Sequence, residues 1–145
     1  MESHLSIEID RPIAEVFERT TEDVTAWSIT CVEDEIIDAK PDGVGTTFRV
    51  VTEERGKRME FMGEVIEQTI PTSSAVQLRG EHFDIDVWYS FEDLGGRTRV
   101  TQRSKIHGKG FFKVMFFLMG WALKKSGCKA QQAELDSLKA YCENE

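Results

Sequence analysis

The sequence predicts an α+β fold in which a curved antiparallel sheet wraps around one long C-terminal helix. Three observations carry that prediction. From about residue 32 to residue 106, apolar and polar residues alternate with a period of two, the pattern of half-buried strands. This stretch is cut only by short turn signals, which suit an antiparallel meander and leave no room for crossover helices. From about residue 109 to 143 the chain reads as a single helical stretch.

Leu5-Ser6-Ile7-Glu8-Ile9-Asp10 alternates and forms the first strand. Arg11-Pro12 then changes the period. Pro12 suits the first helical position, where a missing N–H costs nothing, and Ile13, Val16, Phe17 and Thr20 follow at helical spacing. Thr20-Thr21-Glu22-Asp23 supplies capping groups ahead of a second short helix that carries Val24 and Trp27. Six further strands are expected at 32–39, 45–54, 58–69, 74–80, 82–92 and 97–106. The turn signals between them include Pro41-Asp42-Gly43, Arg55-Gly56, Ile70-Pro71-Thr72 and Leu94-Gly95-Gly96. Glycine provides positive φ at such places, proline a fixed φ, and aspartate a local hydrogen bond. No repeat, low-complexity tract or linker divides the chain, so one domain over 1–145 is expected.

The Gly95-Gly96 hairpin indicates which side of the sheet is inside. A two-residue loop pairs Leu94 with Arg97, and therefore Phe91 with Val100, Tyr89 with Gln102, Val87 with Ser104 and Ile85 with Ile106. The opposite face sets Glu92 against Arg99 and Asp86 against Lys105, as a solvated face should. Gln102 and Ser104 are polar residues on the apolar face. An unpartnered buried amide costs about 1–3 kcal/mol, so they either bond neighbouring backbone or line a ligand cavity.

Projected at 100° per residue, the C-terminal helix carries a stripe of Cys128, Gln131, Leu135, Leu138 and Cys142. A straight helix extends this stripe to Phe117 and Trp121, with Val114 at its margin. Phe112, Met115, Phe116, Met119 and Leu123 then face away. Their partner would be the short helices, a second subunit, a membrane surface, or a ligand reached through a bend at Gly120. Residues 111–123 are too few to span a bilayer, which takes about 20.

Composition excludes several classes of function. Lys plus Arg is 18 and Asp plus Glu is 26, a formal charge of −8, with no basic block to hold a phosphate backbone. Nucleic acid is therefore not an expected partner. The first residues lack a basic stretch followed by an apolar core, and the three cysteines lack metal-ligand spacing. A cytoplasmic protein with reduced thiols, no metal and no cofactor is expected. Gly43-Val44-Gly45-Thr46 reads as a turn, not a phosphate loop. His82 and His107 fall on the solvated face, and His4 is near the terminus. Strand parity turns Glu67 inward near a strand end, where it serves as a general base or reaches the solvated rim. No constellation specifies a catalytic residue.

Several stretches are similar to the START-like superfamily, also called SRPBCC, in its polyketide cyclase/dehydrase-like branch. Ile7 to Phe17 resembles its strand and Pro-started helix, and Asp23 to Trp27 its second short helix. Gly43-Val44-Gly45-Thr46-Thr47-Phe48-Arg49 resembles the entry to its third strand, and Gln132 to Glu143 its closing helix. The resemblance spans essentially the whole chain. It implies a helix-grip fold, with seven antiparallel strands around the C-terminal helix and a hydrophobic cavity between them. It also implies a small hydrophobic ligand: a lipid, polyketide, quinone or aromatic metabolite. The expected lining is Phe48, Val50, Phe61, Phe83, Ile85, Val87, Tyr89, Phe91, Gln102, Ser104, Phe117 and Trp121. The leading expectation is a non-enzymatic binding or carrier domain. The alternatives are a cyclase or dehydratase acting through Glu67, Tyr89 or Gln102, and a membrane-peripheral or protein-interaction module, or a homodimer, using residues 111–123.

Overall fold

The structure is a computed structural model and describes residues 2–54 and 56–144, the side chain of Trp121 excepted. Arg55 of the expected Arg55-Gly56 turn, and Trp121 as a seam or lining side chain, therefore lie outside the described residues. In chain order the elements are β1 (Glu2–Ile9), α1 (Ile13–Glu22), α2 (Val24–Trp27), β2 (Cys31–Asp38), β3 (Thr47–Glu54), β4 (Lys57–Thr69), β5 (Ser73–Arg79), β6 (Phe83–Asp93), β7 (Thr98–Gly108) and α3 (Phe111–Glu143). All the strands join one antiparallel sheet in the order β1-β7-β6-β5-β4-β3-β2. The α+β class and the element order are those the sequence predicts. Pro12 sits just outside α1 as its cap residue, with φ −63° and ψ 149°, not at the first helical position.

The β6–β7 hairpin has the expected register, with Phe91 opposite Val100, Tyr89 opposite Gln102, Val87 opposite Ser104 and Ile85 opposite Ile106. Gly95 and Gly96 have φ of 84° and 86°, and the Leu94 N–H donates to the Arg97 carbonyl at 2.8 Å. Two successive positive φ angles are what a two-residue hairpin loop needs to follow the twist of its strands. The convex face is charged. Arg99 meets Glu92 at 3.4 Å, Arg49 meets Glu60 at 2.9 Å, and the Arg103 guanidinium lies 4.2 Å from the Trp88 ring centre. Asp86 stands opposite Lys105 as expected, but its carboxylate pairs with His107 Nε2 at 3.1 Å.

The packed core occupies one end of the molecule. Ile9, Val16, Phe17, Trp27, Phe91, Val100, Leu138 and Cys142 are buried together, with Phe17 edge-on to Phe91 at 5.1 Å. This end is tied down by backbone-directed bonds. Lys139 Nζ donates to the Glu8 carbonyl at 2.8 Å, the Asp10 N–H donates to Glu143 at 2.7 Å, and Thr98 Oγ1 donates to the Arg11 carbonyl at 2.8 Å. The C-terminal stripe of α3 is therefore read correctly from periodicity: Gln131, Leu135, Leu138 and Cys142 are all buried.

The N-terminal half of α3 departs from the straight-helix expectation. Met119 has φ −120° and ψ 19°, well away from helical values, and this breaks the helix one residue before Gly120. The break resets the rotation of the preceding turns. Phe112 and Phe116 swing inward and place their rings 6.2 and 6.5 Å from that of Phe83. Phe117 turns outward and is 88% exposed, with Phe111, Val114, Leu118 and Met119 exposed beside it. The face without a partner is thus Phe111, Val114, Phe117, Leu118 and Met119. Of the expected outward set Phe112, Met115, Phe116, Met119 and Leu123, only Met119 is exposed, and the other four are partly buried.

Close packing constrains one strand glycine. A Cβ on Gly63 would lie 2.3 Å from the Phe48 ring, so the ring occupies the space that any other residue would need. Gly63→Ala should therefore lower the unfolding free energy by about 1–3 kcal/mol, measured by urea denaturation, and adding Phe48→Leu should recover part of the loss. An unchanged midpoint for Gly63→Ala would contradict this packing.

Candidate functional site

Beyond the packed core, the space between the sheet and α3 holds a polar layer and then a cavity. Along β7, Val100 belongs to the core, Gln102 to the polar layer, and Ser104 and Ile106 to the cavity. The layer is continuous. Gln131 Nε2, on α3, donates to the Gln102 backbone carbonyl at 3.0 Å, and Gln102 Nε2 donates to the Tyr89 hydroxyl at 2.7 Å. Tyr89 stacks on Phe91 at 6.2 Å, which joins the layer to the core. Burial pushes the Tyr89 hydroxyl well above its ordinary pKa and holds it protonated.

The cavity has a volume of about 240 Å³. Among the described residues, Ile85, Ile106, Gly127 and Ala130 give it an apolar wall; Gln102, Ser104, Gln131 and Ser3 add a few neutral polar groups; Glu2, Glu54, Thr30, Lys124 and Glu134 also line it. Glu2 and Ser3 lie on β1, whereas Glu54 ends β3 beside β2. The curvature of the sheet therefore brings its two edges around one space. Glu134 holds the loop that follows α2, accepting from Ser28 Oγ at 2.6 Å, the Ile29 N–H at 2.8 Å and the Thr30 N–H at 3.2 Å.

Of the sequence-predicted lining residues, Ile85, Gln102 and Ser104 line this cavity. Tyr89 meets it through Gln102. Phe61 and Phe83 pack at 5.7 Å beneath Phe112 and Phe116, with Phe48 over Gly63 nearby, so aromatic rings fill the space at the start of α3. Val50 is buried on the strand facing Phe61, and Val87 is partly buried opposite Ser104. Phe91 packs into the core against Phe17, and Phe117 points outward, so neither takes the place expected of it. Sequence reasoning missed Ser3, Ile106, Gln131 and Glu134 as lining residues. Strand parity carried two residues back from Leu5 would have found Ser3, and the signal for Gln131 was an amide within an otherwise apolar stripe.

The catalytic candidates stay apart. A bulge between Val65 and Glu67 shifts the β4–β5 register, and Glu67 is exposed, accepting from Ser73 Oγ at 2.7 Å and Thr69 Oγ1 at 2.9 Å. Strand parity fails there because a bulge adds one residue to one strand. His82 is exposed with its ring 5.0 Å from Phe112, and His107 is exposed against Asp86. Among the described residues, no group of three or more His, Cys, Asp or Glu is placed to hold a metal ion. A second groove of about 370 Å³, bordered by Arg19, Ala26, Ser137, Ala140, Tyr141 and Asn144, lies where α1 and α2 meet the end of α3, away from the sheet interior.

A curved seven-stranded sheet gripping a long C-terminal helix, with a cavity between them, is the START/SRPBCC helix-grip fold. Solved structures agree along essentially the full length. A START superfamily protein from Mycobacterium smegmatis superimposes with a TM-score of 0.84 at 16% identity, covering 99% of this chain and 97% of that one. The ZhuI aromatase/cyclase from Streptomyces sp. R1128 gives a TM-score of 0.81 at 11% identity, covering 99% and 93%. Ara h 8.0201, a Bet v 1-like protein, gives 0.71 at 17%, covering 100% and 99%. No family model and no curated protein sequence matches the chain. At these identities the likeness establishes the fold. No helix among the described residues is long and apolar enough to cross a membrane.

The three cysteines are free, and burial pushes the Cys31 and Cys142 thiols from 9.0 up to about 11. The unfolded thiols ionise first as pH rises, so their contribution to stability is full below pH 9 and is lost between pH 9 and about 11. Urea unfolding across that window should show stability falling with pH, and less steeply in Cys142→Ala. Identical slopes for the two proteins would contradict the burial of this thiol.

Proposed function

We propose that the protein binds a small, largely apolar molecule in the cavity between the sheet and α3, as a single START-like binding or carrier domain in the cytoplasm. The observation that carries this reading is the cavity itself: an apolar wall of Ile85, Ile106 and Ala130 set beside a few neutral polar groups, Gln102, Ser104 and Gln131. That mixture suits a ligand whose body is excluded from water and whose orientation is fixed by one or two hydrogen bonds. A lipid, polyketide, quinone or aromatic metabolite has this character. Binding needs no catalytic base, and neither Glu67, which faces solvent, nor Tyr89, whose buried hydroxyl stays protonated, supplies one to the cavity. Ile106→Trp should fill the cavity and weaken binding of the uncharged fluorophore N-phenyl-1-naphthylamine by at least about tenfold, with the thermal transition retained. Equal fluorescence enhancement in the two folded proteins would place the binding elsewhere and end this reading.

A second reading, contact with an anionic bilayer, rests on the outward face of α3. Phe111, Val114, Phe117 and Leu118 are exposed together with Lys113 between them, and every Asp, Glu, Lys or Arg from Leu94 to Ala133 is basic. Aromatic and aliphatic side chains ringed by lysines suit the boundary between headgroups and acyl chains of an acidic lipid surface. The protein should co-sediment with phosphatidylglycerol vesicles more than with phosphatidylcholine vesicles, and the Phe117→Ser, Leu118→Ser double variant should stay in the supernatant. A wild-type protein that ignores both vesicles would exclude this contact.

A further inference from the structure

We infer that the cavity selects an uncharged ligand bearing a hydroxyl-type hydrogen-bond donor, received by the side-chain oxygen of Gln131, and that it discriminates against carboxylates. The inference rests on the binding reading and adds the chemistry of the ligand's polar group.

Gln131 is only 8% exposed and borders the cavity. Its amide orientation is fixed by chemistry. The group 3.0 Å from its Nε2 is the Gln102 backbone carbonyl, which can only accept, so the nitrogen must face it. The side-chain oxygen is therefore turned away from that carbonyl, and it has no hydrogen-bond partner. A buried acceptor without a donor is unfavourable in a folded protein, and such groups point to a missing bonding partner. No protein group stands within hydrogen-bond geometry of this oxygen. Gln131 borders the cavity, so a ligand hydroxyl that reaches this buried oxygen from there satisfies it, whereas an ether or a bare hydrocarbon cannot.

The charge around the cavity sets the second half of the selection. Among the described residues, Glu2, Glu54 and Glu134 line it together with Lys124. A carboxylate ligand would lose its water and meet three like charges, while a neutral hydroxyl meets no such opposition.

The test is displacement of N-phenyl-1-naphthylamine by four compounds of one skeleton: naphthalene, 2-methoxynaphthalene, 2-naphthol and 2-naphthoate. In the wild-type protein, 2-naphthol should displace at concentrations about tenfold lower than naphthalene or 2-methoxynaphthalene. 2-Naphthoate should be the weakest. In Gln131→Met, which keeps the length but removes the acceptor, the advantage of 2-naphthol should shrink to within about twofold while naphthalene binds at least as well. Four compounds of equal strength, a preference for 2-naphthoate, or an advantage that survives Gln131→Met would overturn the inference while leaving the cavity reading intact. If the fluorophore binds but none of the four compounds displaces it, the inference falls alone. If neither the fluorophore nor any compound binds, both fall.

Discussion

The interior of this protein is organised by one hydrogen-bonded layer, in which Gln131 of α3 bonds the Gln102 carbonyl and the Gln102 side chain bonds Tyr89. On one side of it the chain packs to exclusion, with Ile9, Val100, Leu135 and Leu138 wholly buried. On the other side lies a cavity of about 240 Å³. Polar groups inside a protein are tolerable only when bonded, and here the bonds also join the helix to the sheet where dry packing stops. An apolar pair at 102 and 131 would let the core simply continue. Amides at these positions allow a wet or ligand-filled space to begin beside them.

The break at Met119 is the counterpart of that layer at the other end. A straight helix would carry its C-terminal stripe forward and leave Phe112 and Phe116 in solvent. Non-helical dihedrals at Met119 turn these rings onto Phe83, which in turn packs against Phe61, so aromatic rings fill the far end of the interior. Glycine at 120 weakens the helix next to the break. The same rotation exposes Phe117 and Leu118, so the closed end and the apolar outer face have one cause.

What was legible in the sequence follows from how local each determinant is. The β6–β7 register could be read because Gly95-Gly96 fixes the loop and alternation does the rest. The Cys128 to Cys142 stripe could be read because that half of α3 is regular. Phe117 was misplaced because the dihedrals at Met119 answer to packing against a strand far away in sequence. Glu67 was misplaced because a bulge leaves no mark on alternation until the partner strand is known. Gln102 and Ser104 were recognisable as polar residues among apolar ones, whereas Gln131 needed the helix and sheet in register before its free oxygen had any meaning.

The central claim is that a ligand sits ahead of the polar layer and nowhere else in the interior. Methyl-resolved NMR during titration with 2-naphthol tests it most directly. The account predicts shifts at the methyls of Ile85, Ile106 and Ala130, which border the cavity, with those of Ile9 and Leu138 in the core unmoved. Shifts centred on Val114 and Leu118, or on the core methyls with Ile85 and Ile106 silent, would contradict it.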